Sequence, residues 1–280
     1  METEFVCPIH KEVLLIDKDN RLNCTKCSKS EFKLTNNIYC FNDDKAWDAL
    51  YLGDPSATGL DAETYKSEEP FKLNPKDDVY RGLIESPNDK EKGVYLDLGC
   101  GDGVFSSNMT NKVYCCDVTM EGLSRLRRRG NINQIPVLCS GQSLPFRNNY
   151  FDGILFIYVI EHLSKKCSVE ILKEIRRVIK TNSNFIYTTD TPFFDRHLVR
   201  WTSLVLKGKI KKQDHETETG HINLLTIDES IKLIKSCGFN IKELKIIRIG
   251  ERYNILKKIH NILQRILPKN IYFNYLTSSY

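Results

Sequence analysis

The sequence contains no apolar run long enough to cross a membrane. A transmembrane helix needs about 20 consecutive apolar residues, and polar or charged residues interrupt every apolar stretch of this 280-residue chain before that length. The N-terminus, Met-Glu-Thr-Glu, also lacks the basic and apolar regions of a signal peptide. We therefore expect a cytoplasmic protein.

The chain has ten cysteines but no export signal. In a reducing compartment cysteines serve as metal ligands or buried thiols, so disulfides are not expected. The net charge of +5 is modest and permits an anionic partner without requiring one. The length suits one large domain and a small one.

Cysteines are concentrated near the N-terminus. Cys7-Pro-Ile-His10 and Cys24-Thr-Lys-Cys27 are two pairs of metal-ligand residues, each with two residues between them. Two such pairs can complete a tetrahedral zinc site, and four protein ligands leave no open position for catalysis. The spacing predicts a structural Zn²⁺ site. Two alternatives stay open, namely that Cys40 replaces His10 or that no metal binds.

The segment from Val94 to Gly103 is a short apolar run that ends in glycines at positions 99, 101 and 103. Glycines at this spacing allow a sharp turn and a close approach to a ligand. A dinucleotide-binding turn would need glycine in place of Val104, and a phosphate-binding P-loop would need Lys after Gly103. Asp117 ends the next apolar run, where a carboxylate can accept hydrogen bonds from ribose hydroxyls.

The pattern Asp97-x-Gly-x-Gly-x-Gly103 resembles motif I of class I S-adenosylmethionine-dependent methyltransferases. Asp117, the segment Leu144-Pro-Phe-Arg-Asn-Asn-Tyr-Phe-Asp152 and the segment Ile160-Glu-His-Leu163 follow in the family's order. Within this class, the pattern most resembles the ubiquinone and natural-product methyltransferases. The resemblance implies an α/β, Rossmann-like fold with a mostly parallel seven-stranded sheet, preceded here by a small zinc ribbon.

Alternating apolar patterns predict the elements of this domain. We expect strands at 94–98, 113–117, 135–139, 152–157 and 184–189, and helices near 103–110, 120–129, 165–180 and 226–237. Thr226 and Glu229 form a predicted capping box at the last helix. The expected organisation is a zinc ribbon at 1–45, a linker with cofactor-covering helices at 46–90, and a methyltransferase domain at 91–280 with a substrate insertion at 192–223.

The resemblance also implies which residues hold the cofactor. The glycine turn should pass beneath the methionine part, Asp97 should face its amino group, and Asp117 should hold the ribose. Relatives often contact adenine with an acidic residue where this chain has Ser140, so the Gly141 backbone and the Gln142 side chain are the expected substitutes. Met120 is expected to pack on adenine or in the core. The predicted set is Asp97, Gly99, Cys100, Gly101, Gly103, Asp117, Met120, Gly141, Gln142 and Phe156.

Three side chains are candidates for the acceptor side. Glu161 and His162 end the fourth strand of the predicted domain, and His221 lies in the insertion, where relatives build substrate pockets. His221 is the first choice for a base, although a base is needed only if the acceptor must lose a proton. The alternative for each histidine is a structural role, since a lone histidine is more often structural than catalytic.

Three functions are consistent with the sequence. The leading one is methyl transfer to an O or N atom of a small-molecule, glycan or lipid-linked acceptor. The second is RNA base methylation, in rRNA or tRNA, with the zinc ribbon as the RNA-binding element. Against it, Phe156-Ile-Tyr-Val stands where base-amine methyltransferases carry Asn/Asp-Pro-Pro-Tyr/Phe. The third is a non-catalytic binding module.

Two basic, apolar stretches suggest peripheral membrane contact. One is 201–212 in the insertion, and the other is a helical pattern at 252–267. The helical pattern is equally typical of a core-packing or dimer face, so both a monomer and a homodimer are compatible with the sequence.

Overall fold

The computed structural model describes residues 2–27, 32–41, 93–189, 222–245 and 275–279. The strands are β1 Glu2–Val6, β2 Val13–Ile16, β3 Leu22–Asn23, β4 Lys33–Thr35, β5 Ile38–Cys40, β6 Val94–Leu98, β7 Lys112–Asp117, β8 Gln134–Leu138, β9 Phe151–Ile157, β10 Ile179–Thr188, β11 Asn240–Lys245 and β12 Tyr275–Ser279. The α-helices are α1 Met120–Arg129, α2 Lys165–Val178 and α3 Ile227–Ser236.

Nine of these strands form one sheet in the order β11-β12-β10-β9-β6-β7-β8-β5-β4, and β1, β2 and β3 form a small antiparallel sheet. Strands β8, β7, β6, β9 and β10 pair in parallel, whereas β12 is antiparallel to its neighbours β10 and β11. Strands β6 to β12 are therefore the mostly parallel seven-stranded sheet that the sequence predicts.

Parallel strands covered on both faces are apolar along their whole length. In β7, every residue after Lys112 is buried. The helices on this sheet begin and end as their sequences indicate. Ser164 caps α2, the capping box of Thr226 and Glu229 is present at α3, and α1 ends at Gly130 with a positive φ of 70°. The predicted strands and these three helices are confirmed with small shifts at their ends, except that β10 begins at Ile179 and not at the predicted residue 184.

The helix predicted near 103–110 is wrong, because the chain forms a series of turns there. Its backbone bonds span three residues, as in the bond from the Met109 N–H to the Ser106 carbonyl. Serine is a weak helix former because its hydroxyl competes for backbone groups. The Ser107 hydroxyl does so here by donating to the Val104 carbonyl at 2.7 Å.

The N-terminal segment extends the large sheet. Strand β5 pairs in parallel with β8, through Tyr39 and Val137, and β4 pairs with β5. The ring of Phe5 lies 5.8 Å from that of Tyr114 and 5.6 Å from that of Phe146. The segment therefore shares its hydrophobic core with the sheet.

Several predictions concern residues outside the described part of the chain. These are the linker 46–90, the candidate base His221, the stretches 201–212 and 252–267, and the insertion 192–223 except for Ile222 and Asn223. In the part that is described, no helix is both long and apolar enough to span a bilayer.

Candidate functional site

Backbone hydrogen bonds connect the carboxyl ends of β6, β7 and β8 at one edge of the sheet. The N–H groups of Gly99 and Cys100 both donate to the Cys116 carbonyl, at 2.8 and 3.1 Å, and the Cys139 N–H donates to the Asp117 carbonyl at 3.0 Å. In open parallel sheets, ligands bind at this edge. The predicted cofactor residues that follow these strands therefore lie together.

The glycine turn requires glycine for both conformation and space. Gly99, Gly101 and Gly103 have φ angles of 70°, 53° and 72°. A Cβ atom on Gly99 would lie 2.4 Å from a methyl group of Val159, at the end of β9. One on Gly103 would lie 2.4 Å from Leu126 of α1. The turn is packed between two neighbouring elements, and its backbone approaches them where a side chain would clash.

The Asp117 carboxylate is fixed in orientation by three donors. The Gly101 N–H donates to one oxygen at 2.8 Å. The Thr119 N–H and hydroxyl donate to the other at 2.8 and 2.6 Å. Asp117 thus connects the glycine turn to the start of α1. The protein itself therefore sets the orientation of the Asp117 carboxylate.

Asp97 is buried at the end of β6 and accepts a hydrogen bond from the Ser106 hydroxyl at 2.6 Å. Burial raises the pKa of Asp97 to about 7, and the nearby carboxylates of Asp117 and Asp102 add to this while Ser106 opposes it. A carboxyl group with this pKa changes its charge near neutral pH, and it would be favoured in the ionised form by a cationic ligand group.

The sequence analysis missed the residues that hold Asp97 and the turn. The Gln134 amide donates to Ser106 at 2.8 Å and to the Gly103 carbonyl at 2.7 Å. Arg129 of α1 forms an ion pair with Asp102 and donates to its carbonyl. A polar residue in the buried strand Gln-Ile-Pro-Val-Leu is a signal that could have identified Gln134.

Four further residues of the predicted cofactor set lie after β8, at the start of α1 and in β9. Gly141 is buried in a 3₁₀ turn. The Gln142 amide nitrogen donates to Glu170 of α2, so this donor is already engaged. Met120 is half-buried at the first residue of α1. The Phe156 ring is fully buried 6.3 Å from that of Tyr187, which favours a core role over the predicted cofactor contact.

Glu161 is buried beyond the end of β9 and joins the chain that returns from the insertion. Its backbone carbonyl accepts bonds from the N–H groups of Ile222 and Asn223, at 2.9 and 3.0 Å. Its carboxylate accepts a bond from the Thr189 hydroxyl at 3.3 Å. His162 is half-buried beside it. The two candidate residues described on the acceptor side thus lie next to the end of the insertion.

Tyr158 directly follows β9 and has a positive φ of 56°. This conformation is uncommon for a bulky residue, and such residues cluster at functional sites. Its N–H binds the Thr188 hydroxyl at 3.1 Å, and its ring lies 6.3 Å from that of Phe105 after the glycine turn. Tyr158 therefore lies between the glycine turn and the end of β10. The sequence gives no signal for its conformation.

The predicted metal ligands converge at the N-terminal sheet. The Nδ1 atom of His10 lies 3.7 Å from the Cys7 sulfur, 3.6 Å from that of Cys24 and 3.3 Å from that of Cys27. The sulfurs of Cys7 and Cys27 are 3.6 Å apart, and all four atoms lie within 4.8 Å of one another. A tetrahedron with Zn–S of about 2.3 Å and Zn–N of about 2.0–2.1 Å has edges of about 3.5–3.8 Å. The donor set therefore fits Zn²⁺.

Cys40 lies apart from this cluster. Its thiol donates to the Ile38 carbonyl, and the residue belongs to the core beside α1. His10 instead lies within the cluster, and its backbone N–H donates to the Cys7 sulfur at 3.4 Å. The geometry therefore favours His10 over Cys40.

Part of the chain is similar to a known protein family. Residues 96–187 match the family described as a methyltransferase domain. An uncharacterised protein of Methanocaldococcus jannaschii is 32% identical over 107 residues, covering 37% of this chain and 44% of its own length. A probable tRNA methyltransferase 9B of Bos taurus is 26% identical over 162 residues, covering 56% of this chain and 35% of its own length. The chain thus spans less than half the length of these relatives.

A solved structure supports the fold over most of the chain. The 1,6-didemethyltoxoflavin-N1-methyltransferase of Burkholderia thailandensis, with bound 1,6-didemethyltoxoflavin and S-adenosylhomocysteine, has a TM-score of 0.53 at 13% identity. The match covers 85% of this chain and 90% of that protein. The fold is Rossmann-like. Within this fold, residues 96–187 are similar to a methyltransferase domain.

Proposed function

We propose that the chain transfers a methyl group from S-adenosylmethionine to an O or N atom of a small-molecule, glycan or lipid-linked acceptor. The observation that supports this donor is the hydrogen bonding at the carboxyl ends of β6 and β7. Ser106 and Gln134 connect Asp97 to the glycine turn. The Gly101 N–H connects the turn to Asp117. The bound cofactor supplies an activated methyl group. The protein has to orient it and exclude water.

Each part of this unit has a role in holding the cofactor. The Gly99–Gly103 backbone passes beneath the methionine part, Asp97 receives its amino group, and Asp117 accepts the ribose hydroxyls. Cys100 and Met120 flank this path, and the Gly141 backbone borders the adenine. The small exposed area of Asp117, 8%, supports a site that keeps water away from these bonds.

The protonation of Asp97 makes cofactor binding dependent on pH. With a pKa of about 7, the carboxyl group of the free protein carries a proton at lower pH. The cationic amino group of S-adenosylhomocysteine requires the carboxylate, so binding releases that proton. We expect affinity to rise about tenfold per pH unit as the pH approaches about 7 and to level off above it. Calorimetric titration between about pH 5.5 and 8 measures this.

Two variants serve as controls for this assignment. Asp97→Asn should bind weakly with no pH dependence, because it has no proton to release. Ser106→Ala should move the midpoint to higher pH, because the lost hydroxyl favours the ionised form. A wild-type affinity that stays constant from about pH 5.5 to 8 would contradict the role of Asp97.

The acceptor side favours an acceptor other than RNA. The chain after β9 reads Tyr158, Val159, Ile160, with no Asn/Asp-Pro-Pro-Tyr/Phe segment to hold a base amine. Instead it carries Glu161 and His162, and Glu161 is bonded to the end of the insertion. We propose that this edge and His221 line the acceptor site, with His162 or His221 taking a proton if the acceptor must lose one.

RNA methylation is the second candidate. It is favoured by the similarity to the probable tRNA methyltransferase 9B of Bos taurus. The Cys/His cluster would then bind RNA, with phosphate contacts that weaken steeply as salt is added.

The experiment that decides between them uses labelled S-adenosylmethionine and purified protein. Extract from cells is separated into RNA, membrane-lipid and small-molecule fractions, and each is incubated with enzyme. We expect label in the lipid or small-molecule fraction. Label in the RNA fraction alone would establish the second candidate. Cofactor binding without transfer to any fraction would favour a non-catalytic module.

We further propose that Cys7, His10, Cys24 and Cys27 hold one structural Zn²⁺. Cys7 and Cys24 are buried in the same core cluster as Phe5. With all four positions taken by protein ligands, the ion would stabilise this segment and have no direct part in catalysis.

A further inference from the structure

The metal-binding turn at residues 7–11 and Val6, directly before it, contact the segment that follows β8. The Val6 N–H donates to the Pro145 carbonyl at 3.0 Å. The Ser143 hydroxyl donates to the Pro8 carbonyl at 2.6 Å. The Lys11 ammonium lies 3.4 Å from the Leu144 carbonyl. We call residues 140–146 the cofactor loop, since they include the proposed adenine-binding residues.

Helix α2 also holds this loop. Glu174 accepts a bond from the Leu144 N–H at 2.8 Å and from Lys11 at 3.3 Å. Arg177 is paired with Glu174 and donates to the carbonyls of Leu144 and Phe146, at 3.0 and 2.7 Å. Both backbone groups of Leu144 are thus bonded. Lys11 is the residue of the metal-binding turn that takes part in these contacts, through Glu174 and the Leu144 carbonyl.

Lys11 directly follows the first pair of proposed metal ligands and lies in the same turn. The Lys11 N–H donates to the Cys7 carbonyl at 2.8 Å and closes the turn that contains both ligands of the first pair. Lys11 has a positive φ of 57°, which is unfavourable for a residue with a side chain unless its surroundings impose it. Bonds from Cys7 and His10 to one ion would impose this turn. Loss of the ion would release Lys11 from the cofactor loop.

We infer that the metal-binding turn is a positioning element for the cofactor loop, acting through Lys11 and the Ser143–Pro8 bond, so that metal and cofactor bind cooperatively. This inference rests on the proposed cofactor and zinc sites. Cooperativity between two sites is reciprocal, because each ligand must favour the arrangement that the other favours.

The test measures S-adenosylhomocysteine affinity by calorimetry in the zinc-loaded protein. Lys11→Ala should bind about fivefold more weakly than wild type, at unchanged zinc content, and Lys11→Arg should restore most of the affinity. Lys26→Ala is the matched control. Lys26 also lies in the metal-binding segment and pairs with an acidic residue, but its partner is Glu12 of the same segment. It should bind like wild type.

The reciprocal measurement is the rate at which a chelator removes zinc. Saturating S-adenosylhomocysteine should slow zinc loss about fivefold in wild type and in Lys26→Ala, and have little effect in Lys11→Ala. Equal cofactor affinity in wild type, Lys11→Ala and Ser143→Ala would overturn the inference while leaving the proposed function intact. Wild-type protein that binds no S-adenosylhomocysteine at all would instead contradict the proposed function.

Discussion

Replacing Asp117 with alanine is expected to weaken S-adenosylhomocysteine binding about a hundredfold or more. Hydrogen bonds to a charged group contribute about 1.5–3 kcal/mol each, and the carboxylate is proposed to accept two from the ribose. The variant also loses the bond that anchors the Gly101 N–H. Calorimetry measures the affinity, and circular dichroism establishes that the fold persists.

Thr119→Ala separates these two effects. It removes one hydroxyl bond to Asp117 and leaves the carboxylate in place. We expect a loss of about tenfold or less, because the Thr119 N–H still orients the same oxygen. If Asp117→Ala binds nearly as well as wild type, the ribose assignment is wrong.

Replacing Cys24 with alanine is expected to abolish zinc binding and to unfold the N-terminal segment. Structural zinc contributes about 10–16 kcal/mol in zinc-finger peptides. Because Cys24 shares a core with Phe5 and the central sheet, the loss should also lower the midpoint of thermal unfolding by roughly 10 °C. Metal analysis and calorimetric scanning measure the two effects.

Cys40→Ala is the matched control for this prediction. Cys40 is also buried and near the N-terminus, but its thiol bonds to a backbone carbonyl away from the cluster. It should retain one zinc per chain and lose about 1 kcal/mol of stability. Zinc loss in Cys40→Ala together with retention in His10→Ala would restore Cys40 as the fourth ligand. If wild-type protein purified without chelator contains no zinc, the metal assignment is wrong.

The strands of the methyltransferase domain could be predicted because each is an apolar run that ends at a chemically distinct residue. Val94–Leu98 leads into the glycine turn, and Lys112–Asp117 ends in the carboxylate. Such runs indicate buried strands by composition and length. The predicted metal cluster rests on ligand spacing, which tetrahedral geometry restricts tightly.

Other features depend on contacts between residues distant in sequence. The pairing of β5 with β8 joins segments almost 100 residues apart, and no local pattern encodes it. The ion pair of Arg129 with Asp102 depends on how α1 lies against the glycine turn. For the same reason Gln142, free to bind adenine on sequence grounds, is engaged with Glu170 of α2. Local propensity also failed after Gly103, where serine hydroxyls satisfy backbone groups and turns replace the helix.

The acceptor is harder to deduce than the donor. One fold supports many acceptors, because the acceptor site is built from loops and insertions while the cofactor edge is built from strand ends. Here the bonds of Glu161 to Ile222 and Asn223 locate the end of the insertion relative to β9. They do not define the chemistry of the insertion itself, which is why fractionated labelling is needed.

A crystal structure with S-adenosylhomocysteine bound tests the central claim most directly. The account predicts the ligand along the Gly99–Gly103 backbone, with its amino group at Asp97, its ribose hydroxyls on Asp117 and its adenine beside Gly141. A ligand whose ribose lies away from Asp117, or crystals that take up none at saturating concentration, would contradict the assignment of this edge of the sheet as the cofactor site.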